Sequence, residues 1–179
     1  LSSQTATSTP TFEPTELPSP TETQLEPSAT PTPIPVGAHP LLQGLIVLAM
    51  DDGMYTHIFA LLPEWDGMQM KLPLTRLTSG PWNDTEPALS ADGERLIFAS
   101  DRNGYWDLYL LELATGLVSR LTDTLAYESA PSWSPDGIWV AYETYVDENL
   151  EIFITPIDGS QSPIRLTENP AADYSPAWS

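Results

Sequence analysis

Three copies of one short pattern, set 44 and 45 residues apart, restrict this chain's fold more than any other feature. The central copy reads Ala130-Pro131-Ser132-Trp133-Ser134-Pro135-Asp136-Gly137-Ile138-Trp139-Val140-Ala141-Tyr142. Pro87-Ala88-Leu89-Ser90-Ala91-Asp92-Gly93 lies 44 residues before it, and Pro176-Ala177-Trp178-Ser179 lies 45 after it. Arg-Leu-Thr recurs at the same step, beginning at Arg76, Arg120 and Arg165. In Ser-Pro-Asp-Gly, proline presets φ, aspartate caps the turn with its side chain, and glycine takes the φ > 0 corner. The apolar alternation that follows from Ile138 marks the return strand of a hairpin. A period in the mid-forties holding four strand-like runs is the signature of a β-propeller blade.

The strands follow from this frame. A first, partial blade is expected over about 44–78, complete four-stranded blades over about 86–122 and 130–167, and the opening strand of another over 173–179. No long 3.6-residue periodicity occurs, so the fold class is all-β. Closed propellers take about four to eight blades. The segment 38–179 therefore reads as an open arc, a fragment of a ring that remaining blades of the same chain complete. Its terminal blades, left uncovered, predict weak cooperativity or aggregation of the isolated piece.

Residues 1–37 differ in kind. They hold eight prolines, nine threonines, five serines and four glutamates, with no basic residue and no Trp or Tyr. Such a stretch buries too little apolar surface to offset its ordering entropy, and Thr-Pro and Ser-Pro pairs favour an extended spacer. A disordered Thr/Pro-rich stalk is expected, either plain, O-glycosylated, or read as a Pro-rich ligand. A stalk of this type stands a module off a membrane or another domain. That implies an extracytoplasmic location, periplasmic or cell-surface, with an anchor upstream.

Charge narrows the partners. The formal net charge is −19, of which −4 falls on the stalk and −15 on the rest, and Lys71 is the single lysine. Phosphate backbones and anionic membranes both need clustered Lys/Arg, so no nucleic-acid or membrane-surface partner is expected. No run of apolar residues is long enough to span a bilayer. A protein or peptide partner, cationic in character, fits the charge. Cysteine is absent, which removes disulfide and thiol chemistry without fixing the compartment.

At the repeated hairpins the chain resembles the TolB-type family of bacterial β-propellers, which are WD-repeat-like. Ser100-Asp101-Arg102-Asn103-Gly104, followed by Trp106-Asp107-Leu108-Tyr109, is similar to that family's second turn and third strand. The likeness covers roughly residues 44–179. It departs from the family pattern at Leu89, Ala91 and the degenerate copy Ala49-Met50-Asp51-Asp52-Gly53. The resemblance implies a non-enzymatic binding module, a sensor segment or a platform for envelope protein contacts. It also implies an alternative: the gating propeller of a prolyl-oligopeptidase-type serine peptidase whose catalytic domain lies outside this segment.

Chemistry within the segment is sparse. The two histidines, His39 and His57, accompany no nucleophile motif, phosphate loop or dinucleotide fingerprint, so no catalytic residue, metal site or cofactor is expected. Arg76, Arg120 and Arg165 are expected to make the same structural contact in each blade, with turn aspartates such as Asp92 or Asp136. Gly93 and Gly137 belong to the turns, and Trp133 and Trp178 to blade packing. Loops joining second to third strands, and one blade to the next, leave a blade on one face. That face collects Trp82, Asp84, Asp101, Tyr105, Tyr127, Glu128, Asp147 and Asp173, opposed only by Arg102, as a candidate binding surface. Solubility in a crowded exterior would explain the same acidity.

Overall fold

The computed structural model describes residues 44–179, all strand, turn and coil; the expected stalk at 1–37 and His39 lie outside them. Thirteen strands are present: β1 (Ile46–Asp51), β2 (Thr56–Leu61), β3 (Glu64–Trp65), β4 (Met70–Lys71), β5 (Leu74–Arg76), β6 (Asp84–Leu89), β7 (Arg95–Ser100), β8 (Asp107–Glu112), β9 (Val118–Arg120), β10 (Glu128–Trp133), β11 (Trp139–Val146), β12 (Asn149–Pro156) and β13 (Ile164–Arg165). They form antiparallel sheets ordered β1-β2-β5, β6-β7-β8-β9 and β10-β11-β12-β13, with β3-β4 a separate hairpin between β2 and β5. The chain is thus an open arc of three blades, two of them four-stranded.

The Ser-x-Asp-Gly turns are built identically in the second and third blades. Ser90 Oγ donates to Asp92 Oδ1 and accepts from the Arg95 N–H at 3.0 Å, while Asp92 Oδ1 takes the Glu94 N–H at 3.0 Å. Ser134, Asp136, Ile138 and Trp139 repeat each bond. Donation from Ser90 and from Ser134 holds the Asp92 and Asp136 carboxyls below the usual carboxylate range. Gly137 has φ +68°, and a Cβ there would lie 2.9 Å from the Arg95 guanidinium of the neighbouring blade. Only glycine meets both conditions.

A second repeated device was invisible in the pattern of apolar residues. Glu86, Ala130 and Ser175 have φ of 51°, 49° and 53°, and each precedes a proline. In β6 and β10 the ladder register shifts at these residues, a bulge that bends the opening strand. The bulge N–H groups are taken by carboxylates of the preceding blade: Ala130 by Glu86 at 2.6 Å and Ser175 by Glu143 at 2.9 Å. Residues 173–179 therefore carry the backbone mark of an opening strand. They are assigned no strand, because a strand exists only in a ladder and Tyr174–Trp178 pairs with none among the described residues. Their contacts lie on the third blade, where the Trp178 N–H reaches Ser132 Oγ at 3.2 Å.

The first blade corrects one reading. Asp51-Asp52-Gly53 is the turn between a second and a third strand, not a degenerate Ser-Pro-Asp-Gly copy. It sits at the end of β1 that faces Arg76, with Asp52 Oδ2 3.1 Å from the guanidinium. Among the described residues, the β1-β2-β5 sheet has no counterpart of the opening strands β6 and β10.

Two clusters join the blades. Ile58, Ala60, Leu77, Leu96, Phe98, Tyr109 and Leu111 fill the junction of the first and second. Ile97, Ala99, Leu108, Trp133, Val140 and Tyr142 fill that of the second and third. Alternate residues of β7 thus enter opposite clusters, so it reads as a continuous apolar run, as a strand buried on both faces must. Trp133 is 8% exposed and donates from Nε1 to the Ala88 carbonyl at 2.9 Å. Arg95 lies over its ring at 4.9 Å. Trp133→Ala should lower the unfolding free energy by about 3–5 kcal/mol in urea titrations. Ile138→Ser, at an exposed turn position, should stay within about 0.5 kcal/mol.

Candidate functional site: the carboxylate-bearing loop face

At one end of the arc the loops after β1, β5, β7, β9, β11 and β13 come together. What fixes them is the Arg-Leu-Thr repeat. Thr78, Thr122 and Thr167 each accept, at 2.9 Å, a backbone N–H near the start of β2, β8 or β12: Ile58, Leu108 and Ile152. The intervening Leu77, Leu121 and Leu166 donate to the carbonyls of those same residues, at 2.8 Å. Each arginine then reaches toward an acidic partner beside that strand. Arg120 binds Asp107 at 2.6 Å, Arg165 binds Glu151 at 3.1 Å and Asp147 at 2.9 Å, and Arg76 binds Asp52 at 3.1 Å.

Their partners are therefore not Asp92 or Asp136, which lie at the opposite end of the blades; Asp92 pairs with Arg95. The threonine's part escaped the sequence reading, although its fixed place two residues after each arginine was a usable signal.

The same geometry places a titratable pair at each junction. One residue lies at the start of a third strand and the other opens the next blade: His57 with Asp84, and Asp107 with Glu128; at the next such position Glu151 is held by Arg165. His57 is 1% exposed, its Nε2 3.5 Å from Asp52 and its Nδ1 3.8 Å from Asp84. Asp84 is wholly buried and bound by Arg102 at 2.7 Å. Arg102 is stacked on Trp82, Phe98 and Tyr109, with centroids 5.1, 5.2 and 4.5 Å away. The Thr167 hydroxyl, then Arg165, holds the Glu151 carboxyl below its ordinary value. Burial pushes Glu128 up, against the Thr122 and Thr124 hydroxyls that favour its charge.

The expected surface residues divide accordingly. Asp84 and Glu128 are buried, because they open strands beneath the loops instead of lying in them. Trp82 is half-buried under Arg102, and Asp101 is engaged by the Asn83 backbone and side-chain N–H groups at 2.7 and 2.8 Å. Asp173 is half-buried and accepts from Asn169. Asp147 stays exposed while pairing with Arg165.

Tyr105, Tyr127, Tyr145 and Tyr174 are 48, 40, 52 and 67% exposed, and Leu125 80%. Tyr127 and Tyr145 are adjacent, the Tyr145 N–H donating to the Tyr127 carbonyl at 2.9 Å. Arg102 is not the single opposing cation, since Arg76, Arg120 and Arg165 share this face. All four are consumed by pairs within it. A shallow groove lined by Asp147, Glu148, Glu151, Glu168, Asn169 and Arg165 opens on the third blade. Among the described residues no three acidic or histidine side chains are arranged to hold a metal ion, and no helix is long and apolar enough to cross a membrane.

No known family profile matches the chain. Over 81 residues it is 36% identical to the Tol-Pal system protein TolB of Francisella tularensis, a span of 45% of this chain and 18% of that one. The structure of TolB from Acinetobacter baumannii superposes with a TM-score of 0.56 at 24% identity, covering 69% of this chain and 30% of that one. The chain's repeats are thus similar to those of TolB-type propellers. Over 61 residues the chain is also 43% identical to the uncharacterized peptidase YuxL of Bacillus subtilis, 34% of this chain and 9% of that one. The chain spans less than a third of the length of the curated relatives it matches.

Thr122→Val should cost about 1–3 kcal/mol, because the buried Leu108 N–H loses its acceptor, read as a fall in the urea midpoint. Glu151 has a lowered folded value, so its stabilisation is present above the unfolded carboxylate range and lost as pH falls through the folded one. Melting curves of Glu151→Gln against pH should lack that acid-side loss.

Proposed function

We propose that this chain is a non-enzymatic, protein-binding propeller segment of an exported protein, serving as a sensor or docking module, and that its loop face takes a cationic peptide segment. One observation carries the reading. Every arginine on that face is tied up internally, while Asp123, Asp147 and the tyrosines stand exposed: the side chains of Asp123 and Asp147 are 81 and 72% accessible. Carboxylates supply charge complementarity, and exposed tyrosine rings supply cation–π contact for Lys or Arg. Likeness to a Tol-Pal protein supports a protein partner and an extracytoplasmic setting. The YuxL likeness supports a second reading, a propeller beside a separate catalytic domain, which a Gly-x-Ser-x-Gly motif in the parent sequence would favour.

The test uses residues that folding does not need. A Lys/Arg-rich peptide titrated against the 179-residue chain should bind more weakly as salt rises, with an acidic peptide of equal length as control. The double variant Tyr145→Ala/Tyr174→Ala should weaken that binding about tenfold or more, roughly 1.4 kcal/mol, with its melting curve little changed, since both rings are more than half exposed. Equal binding of both peptides, or wild-type affinity in the variant, would reject the cationic partner.

A further inference from the structure

The junction of the second and third blades sets two fully buried carboxyls against one arginine. Asp107 and Glu128 are 0 and 2% exposed and stand against a single guanidinium, that of Arg120. Arg120 binds Asp107 at 2.6 Å and its other terminal nitrogen goes to Asp123. Glu128 is left with hydroxyls. Its Oε1 accepts from Thr124 Oγ1 at 2.9 Å, and its Oε2 is buried with no partner among the described residues. At the first junction, by contrast, the buried Asp84 has Arg102, and at the third Glu151 has Arg165.

Both carboxyls hold the same loop residue. The Thr124 N–H donates to Asp107 Oδ1 at 3.1 Å while its hydroxyl donates to Glu128, and that hydroxyl also accepts the Ala126 N–H at 3.1 Å. The Glu128 N–H closes the far end of the loop on the Trp106 carbonyl at 2.9 Å. Loop 121–127, which bears Asp123, Leu125 and Tyr127, is therefore pinned at its centre by two buried acids that have one half-buried arginine, Arg120, between them.

We propose that Asp107 and Glu128 form a proton-sensitive latch on loop 121–127, closed when Glu128 is protonated and loosened when both acids are ionised. Two carboxylates in one buried site resist simultaneous ionisation, and desolvation of the Glu128 anion outweighs the tighter bonds it would accept from Thr122 and Thr124. The charged and titratable groups around Glu128 are Asp107 on β8, Arg120 on β9 and Tyr142 on β11, with Glu86 and Glu143 nearby at Tyr127. Of these only Arg120 favours the anion by its charge, and Asp107 already holds it.

The sign follows. A folded value raised above the unfolded one means that the folded chain binds the extra proton between the two. Latch stability is then complete at the acid side of that window and falls as pH rises through it. The latch stands whether or not the face takes a cationic partner.

Two measurements on the 179-residue chain test it. Carbon-detected titration of the Glu128 carboxyl should place its midpoint above the ordinary carboxylate range. Hydrogen exchange of residues 121–127, corrected for the intrinsic pH dependence, should lose about tenfold protection for each unit of that elevation as pH rises. Glu128→Gln, neutral and nearly isosteric, should keep the loop protected at all pH values. Thr124→Ala should leave the Glu128 midpoint raised but abolish the pH dependence of the loop. A Glu128 midpoint in the ordinary range, or loop protection equally pH-dependent in Glu128→Gln, would overturn the proposal.

Discussion

A blade of four strands has two apolar faces and can cover neither, and the rest of this structure depends on that constraint. Neighbouring blades supply the cover, so β7 sends Leu96 and Phe98 into one junction and Ile97 and Ala99 into the other. Stability is then shared between blades, as in any stacked repeat. The contacts that recur are the ones that hold blade to blade: the Trp133 indole on the Ala88 carbonyl, and the carboxylate of one blade on the bulge N–H of the next.

Stacking also dictates where charge goes. Blade edges at the loop end would leave backbone N–H groups and strand-opening side chains in a narrow, poorly solvated seam. The threonines of the Arg-Leu-Thr repeat satisfy those N–H groups, and arginines neutralise the acids that share the seam. One consequence is that the basic residues are spent on structure. The loops above are left with carboxylates and tyrosine rings that stay largely exposed, Asp123 and Asp147 even while paired with Arg120 and Arg165, and loops on a rigid scaffold are the usual origin of a binding surface.

The fold was legible because its signals are local. A Ser-x-Asp-Gly turn needs only its own six residues, and its repetition at 44 and 45 gives the blade directly. The site was legible in part. Tyr105, Tyr127 and Asp147 lie in or beside loops and fall on the exposed face as strand order requires. Asp84 and Glu128 do not, although Glu128 directly follows Tyr127 and Asp84 lies two residues after the loop residue Trp82. Whether a residue belongs to the loop or opens the strand beneath it is decided by packing against the adjacent blade, which lies more than 20 residues away in sequence.

The sequence by itself determined the class of fold, because turn chemistry and period are encoded by adjacent residues. Only the tertiary structure decided which charges are buried, which arginine serves which acid, and which junction is left one cation short. Those outcomes depend on side chains from two blades meeting in one seam. Asp107 and Glu128 each look like an ordinary surface acid until β10 packs against β8.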